Sequence, residues 1–501
     1  MVAPLHRTSR VISMNSSIRP PAVSDHDSLG VIATPARKES KTMTAPPRTG
    51  SPEATAHSAY RKIFRRIVPV IMLMYLLAWL DRVNIGFAAL TMNKDIGLSD
   101  TAFGLGAALF FVGYFIFEVP SNVIMEKVGA RMWLARIMIT WGLVSAATAF
   151  VVGEVSFYAV RILLGITEAG FFPGVLLYLT FWVPRALRGR ITALFLMAAP
   201  LATAIGAPIA SLILAHLDGF LGLKGWQVLF LAFGLPTALV GVAVFWLLPS
   251  KPADAKWLTA DEKAFLHHQL ALEQADTDKD AGHSTFSALK SPKVLALAFV
   301  FFGIASGSYL LNFFLPQVVA SFKTTYGISL SVTQIGLISA IPFLCAALVM
   351  YFAARRSDRT QKRVVYVSGG TVIGAVALAL SPFVGNPVLA IVLLSVTASC
   401  VYIALPLFWQ LPPRFLTAAS AAAGIALINS VGNLSGFVWP YATGALKATT
   451  GTFTVAFVLV AATMFIAAVA VIALDRSRKR QDNARPSREE PELETVARVD
   501  R

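Results

Sequence analysis

The chain has 501 residues, of which 56% are hydrophobic and only 14% are charged, and its mean hydropathy is +0.66. Soluble domains carry about a quarter charged residues, so this composition excludes a water-soluble protein and indicates an integral membrane protein. The net charge of +16 comes from Lys and Arg clusters in short loops between apolar runs. That distribution indicates membrane orientation and argues against a nucleic-acid partner.

The first 59 residues contain seven prolines, many Ser and Thr, mixed charges and no apolar segment. This composition predicts a disordered cytosolic tail and does not fit a signal peptide or a packed domain. Met14 and Met43 are alternative start positions within this tail.

Twelve apolar runs of about 20 residues follow, and each is long enough to cross the hydrocarbon core of a bilayer. Because lipid cannot satisfy backbone hydrogen bonds, each run is predicted to be a helix. The runs begin near Val68, Thr101, Met132, Phe157, Arg190, Trp226, Val294, Val332, Val364, Pro387, Ala421 and Phe453. Cys345 and Cys400 lie in separate runs, which predicts buried packing and no disulfide.

The charges of the loops predict the orientation of the chain. Lys and Arg gather before span 1 and after spans 2, 4 and 8, whereas the alternate loops hold few. Since basic residues accumulate on the cytosolic side, both termini are expected in the cytosol.

A polar interval between spans 6 and 7 divides the spans six and six. It contains "LTADEKAFLHHQLALEQ", which predicts an amphipathic surface helix with Thr259 as its cap and Glu262 in the capping-box position. The predicted parts are a tail (1–59), an N-terminal six-helix bundle (60–248), a central loop (249–292), a C-terminal six-helix bundle (293–474) and a second tail (475–501).

Two landmarks repeat at one offset in the two halves. Asp358, after span 8, lies 232 residues beyond Glu126, after span 2, and Pro440 lies 232 residues beyond Pro208. A shared offset across six spans indicates a duplicated bundle.

The loops "NVIMEKVGAR" and "AARRSDRTQKR", with two six-span halves, resemble the major facilitator superfamily, whose loop pattern is roughly G-x-x-x-D-R-x-G-R-K. The first loop departs from that pattern at Asn122, Glu126, Lys127 and Ala130. The resemblance implies an all-α integral membrane fold with 12 transmembrane helices in two six-helix bundles, in a monomer.

Four segments resemble the anion:cation symporter family more narrowly. They read "YLLAWLDRVNIGFA", "FFVGYFIFEVPSN", "RILLGITEAGFFPGVLLYLTFW" and "NSVGNLSGFVWP". The family carries small organic carboxylates such as tartrate, hexuronates, galactonate and other aldonates, phthalate and nicotinate. The resemblance implies a multi-pass protein of the bacterial inner membrane with carboxylate and protons as partners, but it leaves the substrate open.

Ionisable residues inside spans are expensive and are therefore functional candidates. Here they are confined to the N-terminal half: Asp81, Arg82, Glu118, Arg161 and Glu168. If a site lies between the halves, the C-terminal half can offer it only neutral groups. Such groups recognise hydroxyls and carboxylates through hydrogen bonds. The candidates are Tyr309, Asn312, Trp409, Gln410, Asn429 and Asn433.

The spacing of four charged residues predicts their pairing. Arg161 and Glu168 are seven apart, which places them on one helix face about 10 Å apart. Asp81 and Arg82 are about 100° apart around their helix, so each needs a partner from another helix, and the opposite charges on span 4 are expected to supply them. A carboxylate that binds Arg161 upsets this balance, and protonation of Asp81 or Glu168 restores it, which couples substrate to protons.

The family resemblance implies roles that agree with this pairing. Asp81 and Glu168 correspond to proton sites, Arg161 to the residue that holds the substrate carboxylate, and Arg82 to the partner that switches between pairings.

The resemblance also implies substrate contacts at Tyr114 and Asn429. Trp79 stands where many relatives have Tyr, and because an indole N–H donates but cannot accept, a flatter or more apolar substrate is favoured. Glu118, beside Pro120, is expected to act in capping or gating more than in proton transfer. The charged loop residues are expected to latch the cytosolic ends in the outward-open state: Glu126, Lys127, Arg131, Asp358, Arg359 and Arg363.

Other functional classes find less support in the sequence. It contains no Walker lysine loop, H-E-x-x-H or G-x-S-x-G motif, so an enzyme, a metal site and a bound cofactor are not expected. Proton-coupled uptake of a tartrate-like hydroxy acid, a sugar acid or an aromatic acid is the leading prediction. Sodium coupling, anion exchange and uniport remain alternatives, and a non-transporting receptor is an alternative of a different class.

Overall fold

The computed structural model describes residues 52–279, 291–360, 362–412 and 418–484, and every regular element within them is helical. The helices are α1 (Pro52–Arg66), α2 (Val68–Asp95), α3 (Asp100–Val128), α4 (Ala130–Ala147), α5 (Glu154–Glu168), α6 (Phe171–Thr180), α7 (Arg185–His216), α8 (Gly225–Leu247), α9 (Ala260–Lys279), α10 (Pro292–Ala320), α11 (Phe322–Tyr326), α12 (Val332–Thr360), α13 (Arg363–Leu380), α14 (Pro387–Phe408), α15 (Ala418–Asn433), α16 (Ser435–Thr450) and α17 (Thr454–Ala484). Four short 3₁₀ turns connect some of them.

All twelve predicted runs are helical, and each helix begins within five residues of its predicted start. Eleven helical segments of the described chain are long and apolar enough to cross a membrane. The remaining predicted run, span 11, consists of α15 and α16, which meet at Leu434. Cys345 and Cys400 are both free, as expected.

Span 4 is interrupted next to one of its charged residues. Helix α5 ends at Glu168 and α6 begins at Phe171. Between them Gly170 has a φ of +86°, a backbone conformation that favours glycine because it has no Cβ. Glu168 therefore lies at the end of a helix segment in the middle of a span.

The central-loop helix forms as predicted, and α1 packs on it. The Thr259 backbone N–H donates to Glu262, and the Glu262 backbone N–H donates to the Thr259 hydroxyl, which completes the capping box. Ser58 and Lys62 of α1 donate to the two oxygens of the Glu262 side chain at 2.7 and 2.8 Å. Hereafter the end of the bundle that carries α1 and α9 is called the α9 end.

The ends of the predicted tails differ from the structure where it describes them. Helix α1 begins at Pro52, inside the predicted first tail, because Ala59 is fully buried and the Tyr60 ring packs on Phe265 of α9. Helix α17 continues to Ala484, beyond the predicted start of the second tail at residue 475. The rest of both tails lies outside the described residues.

The two sets of six spans meet mainly through three helix pairs, α2 with α10, α3 with α16, and α7 with α12. Packing is closest at the end opposite to α9. A Cβ atom on Gly444 of α16 would lie 2.3 Å from the Asp100 carbonyl oxygen and 3.1 Å from the Gly104 Cα of α3. Lys447 and Asp100 form an ion pair of 2.8 Å beside this contact. The halves are therefore in direct backbone contact at the opposite end.

Candidate functional site

A cavity of about 120 Å³ lies between the two halves, from the middle of the bundle towards the α9 end. Its lining residues are Tyr75, Trp79, Arg82, Phe110, Phe111, Tyr114, Phe172, Leu196, Phe301, Ala305, Ser308, Tyr309, Leu405, Trp409, Asn429 and Asn433. Nine of these sixteen are aromatic, and Arg82 alone among them carries a charge. The lining residues of the C-terminal half are neutral, as predicted.

Arg82 of α2 forms an ion pair with Glu168 at the end of α5. The Arg82 side chain is 19% exposed and faces the cavity, whereas the Glu168 side chain is 1% exposed behind it. The guanidinium carbon lies 5.5 to 5.7 Å from the ring centres of Trp79, Phe110 and Tyr114, within the range of cation–π attraction. The predicted pairing of Arg82 with a span 4 acid is confirmed.

Asp81 points away from the cavity, although it is the chain neighbour of Arg82. Its carboxylate accepts hydrogen bonds from Ser145 of α4 at 2.8 Å, from Thr237 of α8 at 3.1 Å and from Asn84 at 3.4 Å. The expected pairing of Asp81 with Arg161 is therefore wrong. The reason is rotation about the helix axis, since a residue 100° from Arg82 faces a different pair of neighbours.

Arg161 is buried against α3 and does not line the cavity. It donates to the backbone carbonyls of Gly106 at 3.1 Å and Ala107 at 3.3 Å, and it lies 5.1 Å from the Phe110 ring centre. The expected contact between Arg161 and substrate therefore stays a prediction, since Arg161 does not line this cavity. Arg82 is the guanidinium that the cavity exposes.

The predicted substrate contacts divide into two groups. Seven of the ten predicted substrate contacts line the cavity: Trp79, Arg82, Tyr114, Tyr309, Trp409, Asn429 and Asn433. Asn312 is instead buried, where it donates to Tyr402 and Ser308 and accepts from Thr203 of the other half at 3.3 Å. Gln410 lies outside the lining as well, at the end of α14.

Sequence reasoning missed most of the apolar lining and one polar contact. Tyr75 stacks on Phe195 with ring centres 3.9 Å apart. It lies four residues before Trp79, on the same helix face, and this spacing is a signal that the sequence contains. Glu118 accepts a 3.0 Å hydrogen bond from Asn429, which joins α3 to α15 across the halves. No local pattern predicts that contact, because the two residues are 311 positions apart.

The predicted gate residues lie at the α9 end of the bundle. Glu126, Lys127 and Arg359 are exposed, and no ion pair joins Glu126, Lys127 or Arg131 to another described side chain. The Asp358 side chain lies outside the described residues. The latch was predicted for the outward-open state, so it stays a prediction.

Two six-helix halves around a central cavity define a membrane transporter. Residues 71–440 match the model of the Major Facilitator Superfamily, and the chain belongs to that family. It is 48% identical to the "Putative tartrate transporter" of Agrobacterium vitis, over 83% of this chain and 94% of the relative. It is 43% identical to the "Quinolone resistance transporter" of Acinetobacter baumannii, over 78% of this chain and 89% of the relative.

The fold is also similar to solved structures. The inward-facing, occupied crystal structure of a bacterial homologue of the human lysosomal transporter Spinster superposes with a TM-score of 0.65. The two sequences are 16% identical, and the match covers 83% of this chain and 97% of the other. At this identity the likeness establishes the fold alone, which is the fold that the sequence resemblance implied.

Proposed function

We propose that this transporter is a symporter that carries one small organic carboxylate together with protons into the bacterial cytosol, with both chain termini cytosolic. The Arg82–Glu168 ion pair at the cavity wall carries this proposal. One member of the pair is accessible to an anion from the cavity, and the other is a buried acid that can take up a proton.

The coupling follows from the cost of an unpaired buried charge. A substrate carboxylate that binds Arg82 competes with Glu168 for the same guanidinium. Removing one partner of a buried ion pair costs about 3 to 5 kcal/mol, and protonation of the acid avoids that cost. Substrate and proton therefore stabilise each other's binding, which is thermodynamic coupling in both directions.

The roles proposed from the sequence change in one respect. Arg82 takes the carboxylate-binding role that was expected of Arg161, and Arg161 supports the α3 backbone behind Phe110. Asp81 stays a second proposed proton site, held by three hydrogen bonds on the side of α2 that faces α4 and α8. The charged residues of the α9 end remain the proposed gate of the outward-open state.

The aromatic lining favours a planar carboxylate over a polyhydroxylated one. Aromatic side chains gain most from flat apolar partners, and nine of the sixteen lining residues are aromatic. The name of the Acinetobacter relative refers to quinolones, whereas that of the Agrobacterium relative refers to tartrate. A thermal-shift screen with tartrate, a hexuronate, nicotinate and phthalate separates these classes, because a bound ligand raises the melting temperature.

Uptake by proteoliposomes tests the coupling. The pH gradient, the Na⁺ gradient and the membrane potential are imposed separately, and the accumulated carboxylate is measured. We expect accumulation with an inward pH gradient and none with Na⁺ alone. Accumulation that does not depend on the pH gradient would support sodium coupling or exchange. Binding without any transport would support a receptor.

A further inference from the structure

Glu118 differs from the other two buried acids of the described spans in where its partner comes from. Glu168 pairs with Arg82, and Asp81 accepts from side chains of α2, α4 and α8, so both acids are held within the N-terminal half. Glu118 accepts its hydrogen bond from Asn429 of the C-terminal half. Its surroundings therefore change when the halves move relative to each other.

We propose that Glu118 is a second type of proton site, one that couples protons to the conformation of the transporter and not to the substrate. It binds a proton when the halves meet at Asn429 and releases it when they separate there. The proposal rests on the proposed transport cycle, in which protonation of Glu168 depends on substrate binding.

The position of Glu118 suits this role. It lies one helical turn beyond Tyr114 on α3, on the side of the cavity nearer the α9 end. Asn429 of α15 lines the cavity and lies at the same level of the bundle as Glu118. Separation of α3 from α15 at this level would open the cavity towards the α9 end.

The sign of the coupling follows from two opposing effects on the Glu118 charge. In the present arrangement the residue is 8% exposed, and desolvation penalises the ionised form. One hydrogen bond from a neutral amide returns only part of that penalty. The closed arrangement therefore favours the protonated acid, and separation with entry of water favours the carboxylate.

The chemistry of the pair agrees with this sign. Asn429 offers both a donor and an acceptor, and a protonated carboxyl group also offers both. A protonated Glu118 can thus form two reciprocal hydrogen bonds with the amide, whereas the ionised form can only accept. Protonation strengthens the tie between the halves.

Among the described residues, no cation pairs directly with Glu118. No ion pair therefore cancels the response of Glu118 protonation to movement of the halves. The charged and titratable groups that act on it are Arg82 of α2, Tyr114 of its own helix and Tyr309 of α10. Arg82 is already paired with Glu168, and both tyrosines line the cavity.

Distances between spin labels in substrate-free protein test the proposal. Labels at Met132 of α4 and Phe352 of α12, both exposed and near the α9 end, report on the separation of the halves in a background without Cys345 and Cys400. We expect the long-distance population to rise between pH 5 and pH 8, by at most about tenfold per pH unit for one proton. A wild-type distribution that does not change with pH would overturn the proposal.

Three variants assign the response. Glu118→Gln mimics the protonated acid, so its labels should keep the short distance at every pH. Asn429→Ala removes the hydrogen bonds to the protonated acid and should raise the long-distance population at pH 5 about fivefold. This variant tests the proposal even if Glu118→Gln does not fold. Glu154→Gln, at an exposed position of α5, should keep the wild-type response. A pH response that persists in Glu118→Gln contradicts the proposal, whereas failure of pH-driven uptake alone contradicts only the proposed function.

Discussion

The guanidinium of Arg82 faces the cavity while its ion-pair partner, Glu168, is buried behind it at the end of α5. This arrangement gives the two members of one pair different access. An anion in the cavity can reach the cation directly, and the acid responds only through the loss of its partner. In the proposed transport cycle, substrate binding and proton binding are thereby linked without a contact between substrate and acid.

Glu168→Gln should abolish accumulation and preserve exchange. The glutamine side chain can still bond to Arg82, but it cannot bind and release a proton, so a pH gradient no longer drives net uptake. Counterflow and gradient-driven uptake of one labelled carboxylate measure the two activities in the same vesicles. Glu154→Gln, at an exposed position on the same helix, should retain both activities. Equal loss of both activities in the Glu168 variant would argue against the coupling role.

Arg82→Gln and Arg161→Gln should separate ligand binding from stability. The first removes the only charged group of the cavity lining, so a carboxylate should no longer raise the melting temperature. The second removes hydrogen bonds to two buried backbone carbonyls, which should lower unliganded stability by roughly 1 to 3 kcal/mol and preserve the ligand-induced shift. Thermal unfolding with and without ligand measures both effects. The opposite pattern would assign the carboxylate-binding role to Arg161.

Trp79→Tyr should change the preference among carboxylates. The tyrosine hydroxyl can accept as well as donate a hydrogen bond, and the smaller ring covers less of a planar ligand. We expect tighter binding of tartrate and weaker binding of nicotinate relative to the wild type, measured as thermal shifts over a concentration series. An unchanged ranking of the two acids would exclude Trp79 as a selectivity residue.

Gly444→Ala should destabilise the closed arrangement at the end opposite to α9. The added Cβ would lie 2.3 Å from the Asp100 carbonyl oxygen, so the backbones of α3 and α16 must separate. Accessibility of an introduced cysteine to a membrane-impermeant thiol reagent at that end should increase. Gly369→Ala is the matched control on α13, because its Cβ would meet no atom within 4 Å, and it should leave the accessibility unchanged.

Docking of α1 on α9 should weaken in acid. Burial by itself would raise the pKa of the Glu262 carboxyl, but hydrogen bonds from Lys62, the Thr259 backbone N–H and Ser58 hold the pKa below its ordinary value. A lowered pKa in the docked state means that the stabilisation is fully present above the ordinary glutamate value of about 4.3 and is lost as the pH falls through the docked value.

A spin label at the exposed position His57 measures this docking through its mobility. The label should become more mobile below about pH 4. In Glu262→Gln it should be mobile at neutral pH as well, whereas the neighbouring Asp261→Asn should behave like the wild type. Identical acid profiles in both variants would show that another group controls α1.

The helices and one ion pair could be predicted from the sequence, because apolar length and isolated charges are local signals. The run that begins at Val68 starts there in the structure, and Arg82 finds its partner in Glu168, the nearest opposite charge of span 4. The failure at Asp81 has a physical cause. Ser145 and Thr237 are ordinary helix residues until the rotation of three helices brings their hydroxyls to one carboxylate.

Contacts that depend on tertiary packing could not be predicted in this way. Arg161 satisfies its donors on backbone carbonyls, which every residue possesses and which leave no sequence signal. The contact between Glu118 and Asn429 depends on how two separately packed bundles meet. Polar residues in spans thus predicted a candidate site, but only the packing of the helices determined which of them line the cavity.

Proton uptake on substrate binding tests the central claim most directly. Purified protein in a weakly buffered dye solution receives a carboxylate that raises its melting temperature, with the solution and ligand adjusted to the same pH. We predict that the medium becomes more alkaline by up to one proton per bound carboxylate, and that Glu168→Gln abolishes this change while binding persists. Binding without proton uptake by the wild type, or equal uptake by Glu168→Gln, would contradict the account.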